Sequence, residues 1–116
     1  MQYEALAEMA DKVVKETLQS LPRELAEAVD KVPVFLEPEP AADDVASGIE
    51  PDTLGLFDEG EVEVPTPRIR LWLLNIWDYA EGDEEVFCEE VSITLLHEIG
   101  HLVGWDEEDV EERGLG

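Results

Sequence analysis

Basic residues are scarce in this 116-residue chain: seven Lys and Arg stand against 31 Asp and Glu, a formal charge of -24 at pH 7. The scarcity is also regional. No Lys or Arg occurs between Lys31 and Arg68, and none between Arg70 and Arg113. Binding to DNA, RNA or an anionic membrane by counterion release needs clusters of cations, so nucleic acid and membrane are excluded as partners. Cysteine is sparser. Cys88 is alone, which rules out an intramolecular disulfide and reads as a small half-buried residue of a reduced protein. No apolar run approaches the roughly 18 residues of a membrane span. The N-terminal segment MQYEALAEMADK lacks the basic and apolar regions of a signal peptide, so a cytoplasmic location is expected.

Histidine occurs only twice, and both copies stand together. Residues 97–107 read HEIGHLVGWDE, with His97, Glu98 and His101 at the spacing HExxH. On a helix of 3.6 residues per turn, positions 97 and 101 return to nearly the same azimuth, so two imidazoles can reach one ion. Glu98 falls on the flank of that pair, where a carboxylate can take a proton from a water on the metal and deliver it to a leaving amine. A catalytic zinc wants three protein ligands and an open position. No residue earlier on the same helical face supplies the third, because Glu90 lies about two turns from His97. Gly104 offers a reversal of the backbone that brings a following carboxylate back: Glu107 is favoured, Asp106 is the rival and Glu108 a weaker one. For the oxyanion, Tyr79, Arg68 and Arg70 are the remaining polar candidates. Trp72, Trp77 and Trp105 fit core and rim packing better than a substrate platform.

The rest of the chain reads as a scaffold for that helix, all within one domain spanning 1–116. Leu6, Ala10, Val13, Val14, Thr17 and Leu18 recur at helical intervals over Tyr3–Leu18, and Ser20 with Pro22 marks the start of a shorter helix to Val29. Val32–Leu36 is a run of strand formers closed by the prolines of EPEP. Residues 37–53 read as a solvated loop with no visible chemistry. A short strand at 54–57 ends in the turn Asp58-Glu59-Gly60. Glu61–Val64 alternate before Pro65 and Pro67 interrupt. Arg68–Trp77, RIRLWLLNIW, is the strongest strand and the expected centre of the core. Asp83 is a good N-cap for a helix over about 84–103, with Glu84 and Glu85 in its first turn and Gly104 at its end. The tail 107–116 is expected to add a last helical turn or two. The fold class expected is α+β, with N-terminal helices, a short mixed sheet of three to four strands and the metal helix near the C-terminus.

HEIGH followed by LVGWDE resembles the extended zincin motif HExxHxxGxx(H/D/E), and the order of elements resembles the small bacterial zincin-like metallopeptidases. The resemblance implies Zn2+ as cofactor, His97, His101 and Glu107 as its ligands, Glu98 as general base, Gly104 as the turn and a peptide or protein as substrate. The chain departs from the pattern in carrying Glu where relatives more often carry His or Asp. Its only methionines, Met1 and Met9, precede the motif, so the methionine turn of the larger metzincins is missing. The rival reading is a non-catalytic acidic domain that docks on a basic partner, with any metal structural or absent.

Overall fold

Apolar residues at three- and four-residue steps put one face of the N-terminal segment inside the protein. In the computed structural model, which describes residues 1–60 and 63–104, they form α1 (Tyr3–Gln19), with Leu6, Ala10, Val14 and Thr17 buried. Ser20 closes this helix rather than opening the next: its hydroxyl donates to the Thr17 carbonyl at 2.9 Å. Pro22 itself takes the N-cap position of α2 (Arg23–Val29), where a missing N–H costs nothing. Strand β1 (Val34–Glu37) follows.

Several expectations for the middle of the chain are corrected. The segment 37–53 carries a short helix, α3 (Ala42–Ala46), whose first turn is fixed by the Ala41 N–H donating to Asp44 Oδ2 at 2.9 Å. Beyond it, β2 (Gly55–Gly60) absorbs the expected turn at 58–60. Pro65 and Pro67 do not interrupt; they open β3 (Pro65–Trp72). The sheet order is β1-β3-β2, and β1 meets β3 only from Val34 opposite Ile69 onward. Among the described residues the first positions of β3 therefore have a neighbour on one side only, which is where a strand tolerates proline.

A further correction is at the other end of β3. The run expected to be a strand to Trp77 turns helical at Leu73, giving α4 (Leu73–Tyr79). Leu73, Ile76 and Ala80 are buried and Trp77 packs beside them, the i, i+3, i+4, i+7 pattern of a helix hidden within an apolar string. The expectation that β3 is central holds: it pairs parallel with β1 and antiparallel with β2.

The closing helix is α5 (Glu84–Leu102). Asp83 caps it, accepting from the Val86 N–H at 3.0 Å, and Gly104 follows it at φ +85°. Phe87, Val91, Leu95 and Ile99 are fully buried between α1, α4 and one face of the sheet, the face that carries Ile69 and Leu71. Five helices and a three-stranded mixed sheet, among the described residues, make the expected α+β architecture. No described helix is long and apolar enough to cross a membrane. The expected turns of the tail 107–116, and Glu61 and Val62, lie outside the described residues.

Candidate metal centre

One turn of α5 brings the two histidines together. Their Nε2 atoms lie 3.1 Å apart and the rings stand nearly perpendicular, at 81°. Two nitrogens bound to one tetrahedral zinc at about 2.0–2.1 Å would be about 3.3–3.4 Å apart, so a small adjustment of either ring admits an ion between them. Glu98 completes the group: one ligand atom from each of the three side chains lies within 4.8 Å of the others. His97 and His101 are half-buried, while Glu98 is only 9% exposed. Two imidazoles converging on one point are ligands zinc prefers, with a carboxylate at hand for a water on the ion, so these residues fit a metal.

Glu98 is tied to the sheet. Its Oε1 accepts from the main-chain N–H of Phe57, on the edge strand β2, at 3.0 Å. Sequence reasoning had no route to this contact, which is made by a backbone amide 41 positions away. The helix can sit this close to β2 because residue 55 has no side chain. A Cβ there would meet Thr94 Cγ2 at 2.7 Å and the Arg70 carbonyl oxygen at 3.1 Å. A cleft of about 300 Å³ runs between α5 and the start of β2, lined by Leu54, Gly55, Ile93, Thr94, His97 and Glu98 among others.

The oxyanion candidates separate. Arg68 and Arg70 alternate with Ile69 and Leu71 along β3, so their side chains leave the sheet on the face away from α5. Arg70 is buried there and already committed: its Nη1 and Nη2 donate to Asp44 Oδ1 at 2.8 Å and Oδ2 at 2.6 Å, and its Nε to Glu37 Oε1 at 3.1 Å. Asp44 and Glu37 together raise its pKa, and its guanidinium holds the Asp44 carboxyl down at about 2. Arg68 donates to Asp58 Oδ2 at 3.1 Å. Neither arginine reaches the histidines. The segment 37–53, expected to be chemically silent, instead supplies the counter-charges that let β3 carry a buried arginine. Tyr79 is exposed and lines a second hollow, of about 210 Å³, which shares Leu54 with the cleft.

Trp72 is fully buried beneath Arg70, 5.1 Å from its guanidinium carbon, and Trp77 packs edge-on to Phe87; both are packing residues, as expected. Burial pushes the Cys88 thiol up, with Glu84 and Glu16 adding to it, which makes it a poor nucleophile. Glu107, Asp106, Glu108 and Trp105 lie outside the described residues, so the third-ligand position rests on the sequence.

No curated protein matches the sequence. A family model described as zincin-like metallopeptidase matches residues 29–116, from the end of α2 through β1, the edge strand and the histidine helix to the C-terminus. With that match over most of its length, and with His97, Glu98 and His101 gathered on α5, the chain belongs to the zincin-like metallopeptidase family.

Proposed function

We propose that the protein is a zinc-dependent peptidase in which His97 and His101 hold the ion and Glu98 is the general base. The gathering of both imidazoles and a buried carboxylate at the end of a cleft beside an edge strand carries this reading. Bound zinc supplies an acidified water and a Lewis acid for the scissile carbonyl. Glu98 accepts the proton released as the water attacks and hands it to the departing amine. Glu107, beyond the Gly104 reversal, is the proposed third ligand, with Asp106 as its rival.

Gly55 and Phe57 present their main-chain groups away from β3, since Leu54 and its alternates carry the ladder bonds, as in the Trp72 N–H donation to the Leu54 carbonyl at 2.9 Å. An extended peptide laid along this edge at Gly55 would pair with the backbone and pass its carbonyls beside His97 and Glu98. The cleft wall offers Leu54, Ile93 and Thr94 to side chains, a modest apolar surface that favours loose sequence selectivity.

The test is a pair of variants on purified protein with metal analysis and peptide hydrolysis measured together. His101→Ala is expected to lose zinc. Glu98→Gln is expected to keep it while turnover falls at least about 10²-fold, the usual scale for removing a general base. A Glu98→Gln protein that cleaves peptides as the parent does would reject Glu98 as the base, and a zinc-loaded parent that cleaves none would reject the peptidase and favour the acidic docking domain.

A further inference from the structure

We infer that the main-chain amide of Phe57 is a positioning group for the carboxylate of Glu98, an inference that rests on the peptidase reading of the same site. A glutamate has three rotatable side-chain bonds, and a place on a helix next to a histidine fixes none of the outer ones. Efficient proton transfer needs the carboxylate held where the reacting water will be. Here the restraint comes from another element. Glu98 is buried, and a buried carboxylate requires donors. The Phe57 N–H supplies one at 3.0 Å.

The backbone register makes that amide available. Phe57 lies opposite Ile69 at a position of β2 whose N–H points out of the sheet, so it contributes no ladder bond to β3. The amide is spent on Glu98 alone. The seating of the helix makes the reach short: Thr94, one turn before Glu98, rests against the bare backbone of Gly55, two residues before Phe57. Edge strand and helix thus touch at two successive outward positions, once through van der Waals contact and once through the carboxylate. The carboxylate held this way lies beside both histidine nitrogens. The sheet edge that borders the cleft therefore also aims the base.

Replacing Phe57 by 3-phenyllactic acid keeps the ring and turns the amide into an ester, deleting this one N–H. In the zinc-loaded protein, kcat for a peptide substrate is expected to fall at least tenfold with KM and zinc affinity unchanged. The matching ester at Leu56, whose N–H faces β3, should lower the melting temperature and leave kcat per folded molecule as it was. Amide hydrogen exchange on the metal-free protein gives a readout independent of turnover. The Phe57 N–H should exchange at least tenfold more slowly than in Glu98→Ala, while inward amides of β2 respond little. Fast exchange at Phe57 in the parent, or an ester variant whose kcat is unchanged or raised, overturns the inference. A zinc-loaded parent that hydrolyses no peptide removes the peptidase reading, and the purpose assigned to the tie with it, even where the exchange data show the bond intact.

Discussion

A methyl group added at Gly55 would meet Thr94 Cγ2 at 2.7 Å, Leu71 Cδ2 at 3.0 Å and the Arg70 carbonyl at 3.1 Å. Two of these are side chains that can yield; the carbonyl belongs to the central strand and cannot. Gly55→Ala is therefore expected to destabilise the protein by about 1–3 kcal/mol, the usual cost of overpacking, and to move α5 off the edge strand. Denaturant unfolding measures the first effect. Adding Thr94→Ser removes the nearest clashing methyl and should recover part of the loss, so the two substitutions will not be additive. At this scale the sequence was legible where chemistry is carried by side-chain type and local spacing: His97, Glu98, His101, the Asp83 cap and Gly104 all stand where the helix rule puts them. It was illegible where the partner is backbone. Nothing in a string of side chains marks Phe57 as a donor to Glu98 or Gly55 as the floor beneath Thr94.

Among the elements, the three strands and the segment covering their outer face depend on Arg70. Arg70 is 6% exposed, and its guanidinium lies among Glu37, Asp44 and Asp58. Arg70→Met leaves three acids packed together with their buried cation gone, and about 3 kcal/mol of stability is expected to go with it. The same cluster predicts acid sensitivity. Hydrogen bonding to Arg70 lowers the Asp44 carboxyl from its ordinary 3.8 to about 2. Burial would raise Asp58, but the Gly60 amide and Arg68 outweigh it and lower that carboxyl as well. A group with a depressed folded-state pKa stabilises the fold above its unfolded pKa and loses that contribution as pH falls through the folded value. Unfolding free energy should thus decline between about pH 4 and 2, and Asp44→Asn should flatten the decline. The strand-to-helix boundary at Trp72 escaped sequence reading for a related reason. RIRLWLLNIW is apolar on both faces, so period-2 and period-3.6 patterns coexist in it, and only the packing of Ile76 and Ala80 against the core decides. α3 escaped because five residues with no buried member leave no periodic trace.

For the molecule as a whole, the charge of -24 is the dominant long-range property. All three described arginines are bound to acids, Arg23 to Glu27, Arg68 to Asp58 and Arg70 to Glu37 and Asp44, which leaves the field of the remaining carboxylates little opposed. On the peptidase reading, such a field would draw cationic peptides toward the cleft, and it is screened beyond about 8–10 Å at ordinary salt. For a Lys-rich peptide, kcat/KM is expected to fall several-fold between about 20 mM and 500 mM salt, mostly through KM. A neutral peptide of the same length should change little, and equal salt responses for the two would remove steering from the account. Fold class and the place of the histidine helix were readable at this scale because caps, glycines and hydrophobic period agree there. Sheet order was not, since it is set by pairings between residues far apart, such as Val34 with Ile69.

β3 passes into α4 without a connecting loop, and Asn75 on that helix donates through Nδ2 to the carbonyls of Pro51, at 2.8 Å, and Thr53, at 2.9 Å. The lip of the cleft at Leu54 is consequently bolted to the same unbroken length of chain that forms the middle of the sheet. On the peptidase reading, a substrate arriving there would meet a stiff sill, so the work of fitting would fall on the visitor, and extended, pliant chains would be admitted more readily than rigid folded ones.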